Sequence, residues 1–223
     1  MVDDFITTLT IEFQKNANRK IASEQKAYMR GQFDYYGIKT PQRRKIQKPF
    51  LVKQFLPEKK EAIQIVKLLW SKPQRDYHYV AQELMLKYSR QMTEDDITVF
   101  EFMVTHKSWW DTVDFIATKL MGTYFKKYPE KRKNYVEKWL KSGNTWLQRS
   151  ALLFQLKYKE ELDTQILSIA IEGLLESKEF FINKAIGWVL RDYSRVNPDW
   201  VWDYVNDTSL NNLSKREALR LIN

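Results

Sequence analysis

The chain has 223 residues and not one cysteine. Disulfides, thiolate zinc sites and cysteine nucleophiles are therefore excluded, and the composition fits a cytoplasmic protein. Glycine and proline number only six each. That scarcity argues against a turn-rich all-β fold and for long helices joined by short connections. Histidine occurs twice, as His78 and His106, neither with a partner at ligand spacing. Both read as surface or hydrogen-bond-satisfied histidines, so no metal site is expected. There is no Gly-rich phosphate loop, serine triad or zincin motif, and no cofactor is expected. No stretch approaches the ~18 uninterrupted apolar residues of a membrane span. Met1-Val2-Asp3-Asp4-Phe5 lacks the basic start and apolar run of a signal peptide.

What the chain does have is a core and a charge. The length suffices for one large domain or two small ones, and hydrophobic residues make up 43%, enough for a sizeable core. Lysine and arginine number 37 against 28 acids, for a net charge of +9. Such a balance favours a polyanionic partner, nucleic acid first and an anionic membrane second. It is also compatible with a basic helical protein that binds neither.

Four segments share a layout: Arg75-Asp76-Tyr77 to Tyr88, Trp109-Trp110 to Tyr124, Thr145-Trp146 to Tyr158, and Phe180-Phe181 to Tyr193. Each opens on an aromatic residue, runs through an apolar-periodic stretch and closes on tyrosine. The closing tyrosines recur at intervals of 36, 34 and 35 residues. A period in this range marks stacked helix pairs, a solenoid of HEAT-like or TPR-like type.

Helix signals fit those pairs. Thr145 to Gln148 and Ser214 to Glu217 read as capping boxes. Thr40-Pro41 and Asn197-Pro198 place a capping side chain before a proline at the first helical position. Thr93-Glu94-Asp95-Asp96 loads acids into a first turn. Apolar residues then recur every three or four, as in Leu152, Leu153, Leu156 and Ala185, Ile186, Val189, Leu190. The expected helices are 5–15, 24–36, 41–54, 58–70, 74–90, 94–104, 109–125, 130–141, 146–158, 163–176, 180–195, 198–205 and 214–222. No linker splits them, so 1–223 is read as a single all-α domain with a concave basic groove.

Ser108-Trp109-Trp110-Asp111-Thr112-Val113-Asp114 concentrates two indoles and two carboxylates. On a helix Trp110 and Asp114 share one face. Trp110, Arg149 and Trp188 are separated by 39 and 39 residues, so each falls in its own repeat. Two tryptophans, an acid and an arginine could thus converge on one groove, unless an offset of three or four residues turns one of them away.

These motifs, with Lys184-Ala185-Ile186-Gly187-Trp188-Val189-Leu190-Arg191, Tyr36 to Pro41 with Arg43-Arg44, and Phe154 to Lys159, resemble the AlkD family of HEAT-like-repeat alkylpurine DNA glycosylases. The likeness spans roughly 5–220. It implies hydrolysis of the N-glycosidic bond of cationic N3- and N7-alkylpurines in duplex DNA, without a base-flipping pocket. By similarity Asp114 is the catalytic carboxylate, Trp110 and Trp188 line the site, and Arg149 contacts DNA beside it, holding a phosphate. Tyr28, Lys39, Thr40, Arg43, Lys157, Lys159 and Arg191 are the further DNA-binding candidates. Tyr28 could equally be a core tyrosine. The run Lys126 to Lys133 is expected on the outside, and Trp109 and Asp111 in packing and the helix start.

The chemistry suits these residue types. A cationic purine leaves as a neutral base, so no strong general acid is needed. Positive charge develops on the sugar instead, where a carboxylate stabilises it and orients water. Lys157 could form a Schiff base, but nothing around it suggests a depressed amine, so water is the expected nucleophile. The protein is expected to act as a monomer on duplex DNA near the nucleoid. The competing readings are a non-catalytic helical-repeat protein that binds DNA structures and a protein-binding HEAT scaffold.

Overall fold

The computed structural model describes residues 2–222. Apart from one isolated parallel bridge between Asp34 and Gln74, all regular structure among them is helical. No helix among the described residues is long and apolar enough to cross a membrane. The chain divides into two compact units, Met1–Met92 and Thr93–Asn223.

The first unit holds α1 (Val2–Lys15), α2 (Arg19–Tyr28), α3 (Thr40–Gln47), α4 (Lys59–Ser71) and α5 (Arg75–Leu86). Helix α4 packs on α1 and α5, burying Leu9, Phe13, Ile65, Leu69, Val80 and Leu84. Two expected helices differ here. The one expected at 24–36 runs from Arg19 to Tyr28 because Asn18 caps it, its Oδ1 accepting from the Ile21 amide at 3.1 Å. The chain then turns through left-handed Arg30 and Gly31 and leaves the helix. The helix expected at 41–54 stops at Gln47, and tight 3₁₀ turns follow at Lys48–Leu51 and Lys53–Phe55. Pro49 has no N–H to continue the α-helical ladder. Thr40 does not cap α3 as expected. Lys39 holds the N-cap position, no side chain caps it, and Pro41 sits in the first turn.

The second unit holds α6 (Asp96–Thr105), α7 (Trp110–Phe115), a π-helical turn at Ile116–Met121, α8 (Gly122–Lys127), α9 (Arg132–Lys141), α10 (Thr145–Leu153), α11 (Thr164–Glu172), α12 (Phe180–Tyr193), α13 (Pro198–Asp207) and α14 (Asn212–Ala218). Helices α7, α10, α12 and α14 pack successively in a row, and α9 packs on α10 and α11 behind it. This is the stacking of helical repeats.

The closing tyrosines explain the repeat. Tyr88 donates its hydroxyl proton to the Pro57 carbonyl at 2.5 Å, and Tyr124 donates to Glu94 O at 3.1 Å. Tyr158 donates to Gly122 O. Each pins the end of one helix to backbone 30 to 36 residues earlier. A buried hydroxyl needs such a partner, and this one ties neighbouring repeats together. Tyr193 packs edge-on against Trp200 instead.

Neither expected capping box forms. Asn144 caps α10, accepting from the Trp146 and Leu147 amides at 3.0 and 3.1 Å, one residue before Thr145. Asn211 caps α14, which leaves Ser214 inside the helix donating to Asn183 O at 2.9 Å. Asparagine ranks with serine as an N-cap, so the Asn came first in both places. Asn197 caps α13 as expected, accepting from Trp200 at 3.0 Å.

Candidate active site

The site begins with the aromatic residues that open the repeats. Trp109 occupies the N-cap position of α7 in an extended conformation, φ −161°. Its ring packs against Trp146 from the first turn of α10 and Phe181 from the first turn of α12, with centroids at 5.7 and 5.2 Å. Trp146 and Phe181 close the triangle at 5.1 Å. Edge-to-face and tilted aromatic contacts of this kind add ~0.5–1.5 kcal/mol each beyond burial. They gather the starts of three successive helices at one place.

Just inside that triangle lies an ion pair. Arg149 Nε and Nη2 donate to the two carboxylate oxygens of Asp114 at 2.7 and 2.9 Å. Its Nη1 donates to the Phe181 carbonyl. The guanidinium also lies 5.9 Å from the Phe181 ring centroid. The Arg149 side chain is 4% exposed and that of Asp114 is 17% exposed, so only the carboxylate reaches solvent. Burial pushes the Asp114 carboxyl above the usual aspartate range. The Arg149 hydrogen bonds and charge pull it back down, and Asp111 adds a small upward push. Removing one partner from such a pair leaves a buried charge uncompensated, at a cost of ~3–5 kcal/mol.

Trp110 lies one turn before Asp114 on the same face of α7. Trp188 lies seven residues after Phe181 on α12, two turns along the same face. Both indoles are half-buried. Directly after Asp114 the helix widens into the π turn, with Thr118 Oγ1 donating to Asp114 O at 2.6 Å. The opening aromatic and closing tyrosine are 15 residues apart here (109 to 124) and 12 apart in the next two repeats (146 to 158, 181 to 193). The wide turn takes up part of the surplus. Insertions of this kind recur at functional sites, because they re-aim side chains without breaking the helix.

Other candidates fall into two groups. Arg191 on α12 donates to Glu217 Oε2 at 2.5 Å, and Lys184 donates to Oε1 at 2.7 Å. Lys157 donates from its backbone N–H to Asp192 Oδ2 at 3.0 Å, and from Nζ to Oδ1. Lys159 is exposed two residues on. In the first unit Tyr28 is 71% exposed, so it is not a core residue, and Lys39 and Thr40 are exposed at the start of α3.

Two arginines differ from expectation. Arg149 spends three of its five N–H donors on Asp114 and Phe181, and its side chain is 4% exposed, so it is turned to the carboxylate more than to solvent. Arg43 is buried, bonded to Glu83 at 3.0 Å and lying 4.4 Å from the Tyr79 ring centroid. In both, a carboxylate on a neighbouring helix competes successfully for the guanidinium. His78 is buried and hydrogen-bonded to Arg75 and Lys72 O, each at 3.1 Å. In the run Lys126 to Lys133, Lys126 pairs with Glu161 and Lys131 with Glu94. Sequence reasoning missed Trp146 and Phe181. Their signal was their rank, since each opens a repeat as Trp109 does. It also missed Glu217, taken for a helix cap.

The family model described as DNA alkylation repair enzyme matches residues 9–222. No curated protein matches the chain. A solved structure described as a predicted DNA alkylation repair enzyme from Enterococcus faecalis superposes with a TM-score of 0.87. It is 32% identical, over 92% of this chain and 96% of that one. A match across both compact units, with the same helical fold in a relative this similar, leaves one conclusion: the chain belongs to the DNA alkylation repair enzyme family.

Proposed function

We propose that this protein is a monofunctional DNA glycosylase that hydrolyses the N-glycosidic bond of N3- and N7-alkylated purines in duplex DNA. The observation that carries the reading is the Asp114 carboxylate, gripped by Arg149 through two hydrogen bonds, on the helix face that also bears Trp110. An alkylated purine already carries positive charge and leaves as a neutral base. The barrier lies in the sugar, which becomes an oxocarbenium ion as the bond stretches. A carboxylate beside it supplies the compensating charge and can accept a proton from the attacking water.

The surroundings decide how much that charge is worth. Attraction between unit charges at ~4 Å rises from about 1 kcal/mol in bulk water to about 4 at an effective dielectric of 20. The half-buried indoles of Trp110 and Trp188 would exclude water and present negative faces to the cation, for roughly 0.5–2 kcal/mol each. Arg149 acts through Asp114: it fixes the direction of the carboxylate, and its hydrogen bonds and charge favour the ionised form against the burial that disfavours it. Exposed Tyr28, Lys39, Thr40 and Lys159, with Lys157 and Arg191, would hold the strand by its backbone without reading bases. Discrimination then rests on the lability of the cationic adduct, without a pocket for an extruded base. The protein would act as a monomer in the cytoplasm, close to the nucleoid.

Release of 7-methylguanine from methylated duplex DNA tests this reading. Wild-type protein should release it, and Asp114→Asn should bind duplex DNA normally while releasing almost none. Unchanged release by Asp114→Asn would refute the assignment and favour a DNA-binding repeat protein. Efficient excision of uncharged uracil would refute the mechanism.

A further inference from the structure

Among the described residues, four other than glycine adopt a positive φ: Arg30 (54°), Lys107 (51°), Lys157 (72°) and Lys159 (55°). All four are basic. Left-handed backbone crowds the Cβ of every L-residue, and the positions that require it are normally filled by glycine, then asparagine or aspartate. Lysine and arginine have no short side chain with which to relieve the crowding. Basic residues are 37 of 223, about one in six, so four out of four is not a product of composition. A cation therefore stands at each of these turns, where the backbone would favour glycine.

Lys157 has a local reason. It directs both its N–H and its Nζ to Asp192. Arg30 has none. It ends α2 as the left-handed residue of a Schellman turn, with Gly31 N–H donating to Lys26 O at 2.8 Å and its own N–H donating to Ala27 O at 2.9 Å. Glycine is the usual occupant of that place. The Arg30 side chain is exposed, without a hydrogen bond or ion pair among the described residues, and the exposed ring of Tyr28 is two residues away. Lys107 is exposed in the turn that leads directly into Trp109 and Trp110.

We infer that the left-handed turns carrying Arg30 and Lys107 are phosphate-contact positions for duplex DNA, where a cation is retained in place of the glycine that the backbone favours. The inference rests on the duplex-DNA reading above and extends it to two residues outside the candidate site. Phosphate contacts of this kind hold the duplex without specifying sequence.

The test separates charge from backbone. Arg30→Gly and Lys107→Gly relieve the turn and remove the cation. Arg30→Asn and Lys107→Asn tolerate the same φ and also remove it. Lys67→Gln, on an exposed position of α4, controls for net charge alone. Affinity for an undamaged duplex is measured by fluorescence anisotropy across a potassium chloride series, with the melting temperature of each variant in parallel. The turn variants should melt at or above the wild-type temperature yet bind several-fold more weakly. Their slope of log affinity against log salt should be shallower by about 0.9 for each phosphate that the protein no longer neutralises. Turn variants that match Lys67→Gln in affinity and slope overturn this inference while leaving the glycosylase reading intact. Wild-type protein that binds no duplex overturns both.

Discussion

Arg149 grips Asp114 through both prongs of its guanidinium, at 2.7 and 2.9 Å, and is itself held by the Phe181 carbonyl of the next repeat. Three helices therefore determine where one carboxylate points: α7 supplies it, α10 orients it and α12 orients the orienting group. The aromatic triangle of Trp109, Trp146 and Phe181 locks the same three helices at their starts. A carboxylate preorganised in this way needs little reorganisation when charge appears beside it.

The first prediction concerns pH. The ionised form of Asp114 is the working form, and burial raises its carboxyl above the usual aspartate range. Single-turnover base release should therefore fall on the acid side at a higher pH than the ~3.9 of a free aspartate. Arg149→Gln removes the interactions that lower the value, so its acid limb should move to higher pH still. The sign for stability is opposite. A carboxyl raised in the folded state contributes stability that is present below its unfolded value and lost as pH rises through its folded value. An acid limb that stays fixed in Arg149→Gln would separate the pair from the rate.

Arg149→Lys keeps the charge and loses the fork, and lysine at a bidentate site is not a conservative exchange. Base release should slow by roughly 10–100-fold, about 1.4–2.7 kcal/mol in the barrier. Duplex affinity should change less than about twofold, because the buried guanidinium faces Asp114 and not solvent. If affinity falls along with rate and the salt slope drops by about one, Arg149 is a phosphate contact after all.

The repeat was legible because packing wrote it into the sequence. Tyrosines that must reach a carbonyl in the preceding repeat recur at the repeat length, and opening aromatics that must meet recur with them. Trp110 and Asp114 on one face follow from helical spacing alone. The destinations of the charges were not legible. Arg43 and Arg149 are basic residues on helices whether they face DNA or a carboxylate 40 or 35 residues away. Only the folded chain brings Glu83 and Asp114 beside them. The capping errors have a local cause: Thr145 and Ser214 fit the box pattern, but Asn144 and Asn211 stood earlier and took the amides. The π turn after Asp114 left only an interval of 15 residues where the next two repeats have 12, a surplus that a longer loop would show equally well.

Glu217 anchors the far end of the row. It accepts from Lys184 and Arg191 of α12, and the Lys184 hydrogen bond, ahead of the charges of both cations, holds its carboxyl below the usual glutamate range. A depressed carboxyl contributes stability that is present above its unfolded value and lost as pH falls through its folded value. Glu217→Gln should lower the melting temperature at pH 7, and the gap to wild type should close as pH drops below the ordinary glutamate range. Thermal melts at a series of pH values check this, and a gap that stays constant into strong acid would assign the loss to packing instead.

Gly187, the residue before Trp188, sets how closely α14 approaches α12. A Cβ built there would lie 2.5 Å from Glu217 Cβ and 2.9 Å from the Ser214 carbonyl oxygen. Backbone and a Cβ cannot swing aside, so Gly187→Ala must push the helices apart. Overpacking of this kind costs ~1–3 kcal/mol, against the ~1 kcal/mol that alanine gains over glycine in a helix. The net effect should be destabilising, with Trp188 displaced and base release reduced beyond the loss of fold. Gly173→Ala provides the contrast, because its nearest neighbour is the terminal Cδ1 of Leu140 at 2.9 Å. That methyl can rotate away, so Gly173→Ala should melt within a few degrees of wild type. Equal melting temperatures for the two variants would mean that the α12–α14 contact is soft, and that its close approach does not fix the position of Trp188.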